Sequence, residues 1–127
     1  MQAQLEAWVR QLPIEVTSLV VTGSRARNTH FSDSDIDVIV VSPAFAGMRR
    51  PDRIDLLLQP WYDRPALEPF GLCPDELDCD SLYLWDALCD GRALQDDGTW
   101  QAARDRHLVR LEAGELVRQP GGWRQRC

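Results

Sequence analysis

The chain has 127 residues, 44% of them hydrophobic and 27% charged, with five Trp. That is enough for one domain with a real core, too little for two ordinary domains, and unlike a disordered or low-complexity segment. Its 14 basic residues, all Arg, face 20 acidic ones for a formal charge of −6, which argues against broad binding to long nucleic acid or an anionic membrane but leaves room for a nucleotide held by a few residues.

Leu5, Trp8, Val9 and Leu12 recur at helical spacing before Pro13, predicting a short opening helix. Leu19-Val20-Val21-Thr22 reads as a strand that ends at a Gly23-Ser24 turn, and Arg25-Ala26-Arg27 has helical propensity. Asp35 to Val41 is the clearest strand, with alternating acids and aliphatics giving way to a β-branched run. Turn-formers fill Gly47 to Pro51. Arg53-Ile54-Asp55-Leu56-Leu57-Leu58 is expected as a third strand, closed by Pro60. Residues 60 to 80 carry four Pro and are read as irregular, with one short strand.

Asp80 or Ser81 can cap a helix whose Leu82, Trp85 and Cys89 share a face and whose stop is Gly91. Arg92 to Gln95 reads as a short strand. Thr99 can cap a last helix with Trp100, Ala103, His107, Leu108 and Leu111 on one stripe. The expected organisation is a single domain over residues 1–118 with a loose tail over 119–127. The element order predicts an α/β (α+β) fold with a small mixed sheet flanked by helices.

No apolar run approaches the roughly 20 residues that cross a bilayer. The opening Met1-Gln2-Ala3-Gln4-Leu5-Glu6 lacks the basic and apolar regions of a secretion signal. A cytoplasmic protein is expected. Cys73, Cys79, Cys89 and Cys127 lack the close pair that most structural zinc sites use, so reduced thiols are expected. His30 reads as an exposed loop residue, His107 as a half-buried, hydrogen-bonded one, and Trp61, Trp85 and Trp100 as packing residues.

Asp35 and Asp37 are one residue apart on a predicted strand, so both carboxylates leave one face while Ile36 and Val38 point into a core. Forcing two like charges together favours a resident cation. Asp55, alone among aliphatics on the next predicted strand, is expected to join them as a third hard oxygen ligand for Mg²⁺. Gly23 and Ser24 offer backbone N–H groups and a hydroxyl to a phosphate, to which Arg25 and Arg27 could add charge-assisted bonds. A helix-loop-helix calcium site starting at Asp33 fails, because its sixth and twelfth positions hold Val38 and Ala44 instead of Gly and Glu. Carboxylates for a metal beside a phosphate-cradling turn describe phosphoryl or nucleotidyl transfer.

Gly23-Ser24-Arg25-Ala26-Arg27 followed by Ser34-Asp35-Ile36-Asp37-Val38 resembles the signature of the DNA polymerase beta-like nucleotidyltransferase superfamily. More narrowly it is similar to the minimal nucleotidyltransferases, with their Gly-Ser-x-Ala-Arg-Gly and Ser-Asp-x-Asp pattern. Ten residues separate Ser24 from Asp35, and the match covers about residues 18 to 58. Asp90-Gly91 and Asp96-Asp97-Gly98 are similar, less specifically, to that family's C-terminal helix-strand-helix segment. Asn28 stands where the family usually has Gly, and Asn tolerates the left-handed backbone better than other residues.

The resemblance implies the polymerase beta-like fold and transfer of a nucleoside monophosphate, AMP from ATP, to a hydroxyl of a protein or small molecule with release of pyrophosphate. Asp35, Asp37 and Asp55 would be catalytic and would bind two Mg²⁺ ions; Gly23, Ser24, Arg25 and Arg27 would bind the nucleotide. Its implied partner is a small helical HEPN-type toxin. Two rival readings are a non-catalytic antitoxin that acts by occlusion and a small drug-modifying nucleotidyltransferase, the latter usually needing an extra acceptor-binding domain. The resemblance is compatible with self-association and does not specify the base or the acceptor.

Overall fold

A computed structural model describes residues 1–31 and 33–125. The order is α1 (Gln2–Arg10), β1 (Ser18–Val21), a one-turn α2 (Gly23–Ala26), β2 (Ile36–Val41), α3 (Arg50–Leu58), β3 (Leu67–Leu72), α4 (Leu82–Asp90), β4 (Arg92–Asp96), α5 (Thr99–Glu112), β5 (Leu116–Gln119) and β6 (Gly122–Gln125). The main sheet runs β3-β2-β1-β4. β1 pairs antiparallel with β2 and with β4, whereas β2 and β3 are parallel, joined through α3. This is the small mixed sheet flanked by helices that the element order implied.

Strand alternation sorts the sheet's side chains into two layers. Leu19, Val21, Ile36, Val38 and Val40 pack with Leu5 and Trp8 of α1 and Leu57 of α3. Val20, Ile39, Val41 and Leu72 pack on the other face with Leu84, Ala87 and Leu88 of α4 and Trp100 and Ala103 of α5. The Trp8 indole N–H donates to the Leu57 carbonyl at 2.8 Å, tying α1 to α3 in the buried layer.

The third strand expected over Arg53–Leu58 is instead the second half of a helix. Pro51 sits in its first turn, where the fixed φ is preorganised and the missing N–H costs nothing. Arg53 and Leu57, four residues apart, are its buried pair, a period of 3.6 hidden within a run that reads as β. The Arg53 guanidinium reaches Glu76 at 2.6 Å and the Gly71 carbonyl at 3.0 Å, and its Nε donates to the Met48 carbonyl at 3.0 Å. The Gly71 hydrogen bond and the ion pair to Glu76, just past the strand, thus hold α3 on β3. The strand itself is Leu67–Leu72, inside the segment expected to be irregular with one short strand.

Smaller departures have local causes. Ser81 caps α4 by accepting from the Leu84 amide, but Leu82 is exposed and the buried face is Leu84, Trp85, Ala87 and Leu88. Gly91 ends that helix without a left-handed turn. A Cβ there would run into the Ala87 carbonyl oxygen and lie 2.9 Å from Val20, so its role is close packing of α4 on β1. The first turn of α5 is capped by Asp96, which accepts from the Trp100 and Gln101 amides, each at 3.0 Å, rather than by Thr99.

Residues 119–125, expected as tail, form the end of β5, the turn and the second strand of a β5–β6 hairpin. Trp123 packs edge-on to Trp85 and tilted on His107, and its indole donates to Asp86 at 2.8 Å; Arg118 donates to Asp90 at 3.0 Å. His107, expected to be half-buried, is buried, with its Nε2 3.5 Å from the Cys89 sulfur, and burial lowers its pKa. Cys73, Cys79 and Cys89 are free thiols; the reading of Cys127 lies outside the described residues. Among those residues, no helix is long and apolar enough to cross a membrane.

Candidate active site

Asp35 immediately precedes β2 and Asp37 is its second residue, flanked by Ile36 and Val38, which are fully buried on the α1/α3 side. Asp37 therefore shares the opposite face with Ile39. In the parallel ladder Asp37 pairs with Glu68, and Ile39 with Phe70. Glu68 thus stands beside Asp37 on the same face, at the end of the sheet that α4 leaves uncovered. The Asp37 carboxyl, and after it Asp35, hydrogen-bonds and repels the Glu68 carboxyl, pushing its pKa up to about 7.

The third acid of the cluster is Glu68, not Asp55. Asp55 is an exposed residue of α3, and that helix packs on the other layer. The sheet separates it from the face that carries Asp37. The sequence hides Glu68 because its strand lies in a Pro-rich stretch, where Pro69 masks an alternation: Leu67, Pro69 and Gly71 on one face, Glu68, Phe70 and Leu72 on the other.

The donor set is hard oxygen throughout, and a carboxyl that holds its proton to about pH 7 because of two acidic neighbours is one that a divalent cation would relieve. The donor chemistry therefore suits a hard divalent cation. Among the described residues, no group of three or more His, Cys, Asp or Glu side chains is placed to hold a metal ion by itself; Mg²⁺ in nucleotide sites takes one or two carboxylates together with phosphate oxygens.

The linkage has a definite sign. With Glu68 at about 7 when folded and near 4.5 when unfolded, its contribution to stability is full below pH 4.5 and is lost as pH rises through 7. Subtracting the melting profile of Glu68→Gln from that of the unaltered chain, both without metal, is expected to leave a decline between about pH 4.5 and 7. A flat difference would show the three carboxyls do not interact.

The turn after β1 faces these acids. The Thr22 amide donates to the Asp37 carbonyl at 2.9 Å, which brings Gly23 alongside the Asp37 side chain. Gly23 has φ +65°, and a Cβ there would lie 2.6 Å from Asp37 Oδ2. So Gly is required twice, for the left-handed backbone and for the close approach of the turn to the carboxylate. Gly23→Ala is expected to cost about 1–2 kcal/mol in backbone strain and to displace Asp37. A thermal melt together with Mg²⁺-dependent ATP affinity checks both, and unchanged ATP affinity in a folded variant would separate Gly23 from the site.

α2 begins at Gly23, as expected, but lasts one turn. Asn28 has φ +57°, the left-handed conformation its chemistry tolerates. The two arginines part company. Arg25 is buried, and its guanidinium donates to the Ser34 carbonyl at 2.7 Å and lies near the Met1 sulfur. It fastens the loop that leads into Asp35 instead of reaching toward a phosphate. Arg27 is exposed and lines a small cleft with Thr22, Gly23, Tyr83, Asp86 and Asp90.

Tyr83, on the first turn of α4, was not singled out by sequence. Its hydroxyl lies 2.8 Å from Thr22 Oγ1, and its ring meets Phe70 edge-on at a centroid distance of 5.3 Å. Burial of the ring raises its pKa, against the Thr22 hydrogen bond. Asp37, Glu68, Pro69, Phe70 and Tyr83 together line a recess of about 330 Å³.

The nucleotidyltransferase domain model matches residues 2–75, more than half of the chain. No curated protein is significantly similar in sequence. Among solved structures, a protein of Sulfolobus solfataricus provisionally assigned as a nucleotidyltransferase aligns with 21% identity over 76% of this chain and 77% of its own, with a TM-score of 0.54. A toxin–antitoxin complex with AMP-PNP aligns with 14% identity over 90% and 89%, TM-score 0.60. A mutant of the MntA–HpeT toxin–antitoxin aligns with 11% identity over 91% and 90%, TM-score 0.58. At such identities these likenesses speak to the fold alone. The family match spans the Gly-Ser turn and all three clustered acids, and on that ground the chain belongs to the nucleotidyltransferase domain family and is an enzyme of that class.

Proposed function

We propose that the chain transfers AMP from ATP to a hydroxyl group of a protein, as the cytoplasmic antitoxin partner of a small helical HEPN-type toxin. The observation that carries the transfer reading is the Asp37–Glu68 register pair, with Asp35 beside it and the Gly23 turn packed against Asp37. Likeness in fold to a toxin–antitoxin complex with AMP-PNP supports both the nucleotide and the partner.

Asp35, Asp37 and Glu68 would hold Mg²⁺, two ions in the fullest arrangement, which when bound polarises phosphate oxygens and acidifies a hydroxyl. The Gly23 and Ser24 amides and the Ser24 hydroxyl bind the outer phosphates, with the exposed Arg27 adding charge at the rim. Arg25 acts at one remove, fixing the loop before Asp35. The acceptor oxygen bonds to the α-phosphorus as the bond to pyrophosphate breaks, and the Glu68 carboxylate, ionised once a cation offsets its acidic neighbours, takes the hydroxyl proton.

Incubating the protein with ATP, Mg²⁺ and the product of the neighbouring gene, followed by intact mass measurement, is expected to show one or more AMP additions on that product. Neutralisation without any mass change would replace this reading with occlusion.

A further inference from the structure

We propose that the recess between β3 and α4 is the nucleobase site, with Tyr83 as the platform on which the base stacks; this rests on the nucleotidyl-transfer reading. The recess starts at Asp37 and Glu68 and is walled by Pro69, Phe70 and Tyr83. With the α-phosphate at the acids, this recess lies within reach of the nucleoside end. Tyr83 is 41% exposed and Phe70 half-buried, so aromatic surface borders open space.

The platform is fixed before anything binds. The Tyr83 hydroxyl is held by Thr22, the residue just before the phosphate turn, and its ring is braced at 72° by Phe70. Phe70 is covered in turn by the Arg50 guanidinium, 4.9 Å from its centroid, and Arg50 pairs with Glu76 at 3.7 Å. A ring immobilised in this way loses little freedom when a planar group stacks on it.

The other openings near the acids suit a base less well. The cleft by Gly23 holds only about 100 Å³ and is lined by Arg27, Asp86 and Asp90. The opening bordered by Asp33, Asp35, Arg64, Pro65 and Ala66 is roomier, about 400 Å³, but has no aromatic side chain on which a base could stack. Because stacking tolerates any base, Tyr83 sets affinity for the nucleoside part and selects weakly among bases.

The test is calorimetric titration of the full chain, with Mg²⁺, against ATP and against inorganic tripolyphosphate. Tyr83→Ala is expected to weaken ATP about tenfold and to leave tripolyphosphate within about twofold, while Tyr83→Phe, which keeps the ring, stays close to the unaltered protein for both. Should Tyr83→Ala melt below the assay temperature, Tyr83→Leu keeps bulk without a π face and is expected to show the same selective loss. Equal loss of ATP and tripolyphosphate, or loss of neither, would overturn the proposal, as would a raised acceptor KM with ATP affinity unchanged. ATP binding that still depends on Asp35 and Asp37 would leave the transfer reading standing in those cases. Failure of the unaltered chain to bind ATP at all would overturn both.

Discussion

Replacing Asp35 and Asp37 together by Asn is expected to lower nucleotidyl transfer by about a thousandfold or more while the chain stays folded. Metal polarisation and leaving-group stabilisation supply several kcal/mol, and each ~1.4 kcal/mol is tenfold in rate. Folding survives because Asp35 is exposed and Asp37 only half-buried at the open end of the sheet, and because the substitution removes two charges that press on Glu68. The variant should melt at or above the temperature of the unaltered protein, and intact mass should show no addition to the acceptor. Full neutralisation of a toxin by this variant, with no modification even by the unaltered chain, would favour occlusion.

The second large effect distinguishes two carboxylates. Glu68→Gln is expected to lower kcat by about 10²–10⁴, the range for loss of a positioned acid or base, with a smaller change in ATP affinity because the phosphate turn is untouched. Asp55→Asn is expected to leave turnover within about twofold, since Asp55 projects from α3 into solvent on the other side of the sheet. Single-turnover rates with excess enzyme make the comparison directly. A dead Asp55→Asn with an active Glu68→Gln would invert the assignment and require α3 to reach the catalytic face.

Local sequence carried the parts of this protein that depend on neighbours a few residues apart. Asp35-Ile36-Asp37-Val38 announced both a strand and which way its side chains face, because alternation is a property of the backbone alone. The Gly-Ser turn, the capping Ser81 and the left-handed tolerance of Asn28 are likewise decided by bonds within a few residues. By contrast, Arg53 to Leu58 was ambiguous. Six residues rich in Ile and Leu suit a strand or a buried helix, and what selects the helix is the distant Glu76 and Gly71, with which Arg53 pairs. The hairpin after residue 115 similarly depends on Asp86, Asp90 and Trp85 of α4, since neither strand buries much by itself.

The sequence by itself therefore determined that two acids, one just before a strand and one within it, stand by a glycine turn, a pattern that describes phosphoryl or nucleotidyl transfer. Tertiary structure decided which third acid joins them. Glu68 lies thirty-one positions beyond Asp37, and only the parallel register of β2 and β3, set by the α3 crossover, places it there. The same packing brings Tyr83 and Phe70 to the recess. Strand register and helix docking are made by contacts between residues far apart in the chain, and spacing along a single sequence does not specify them.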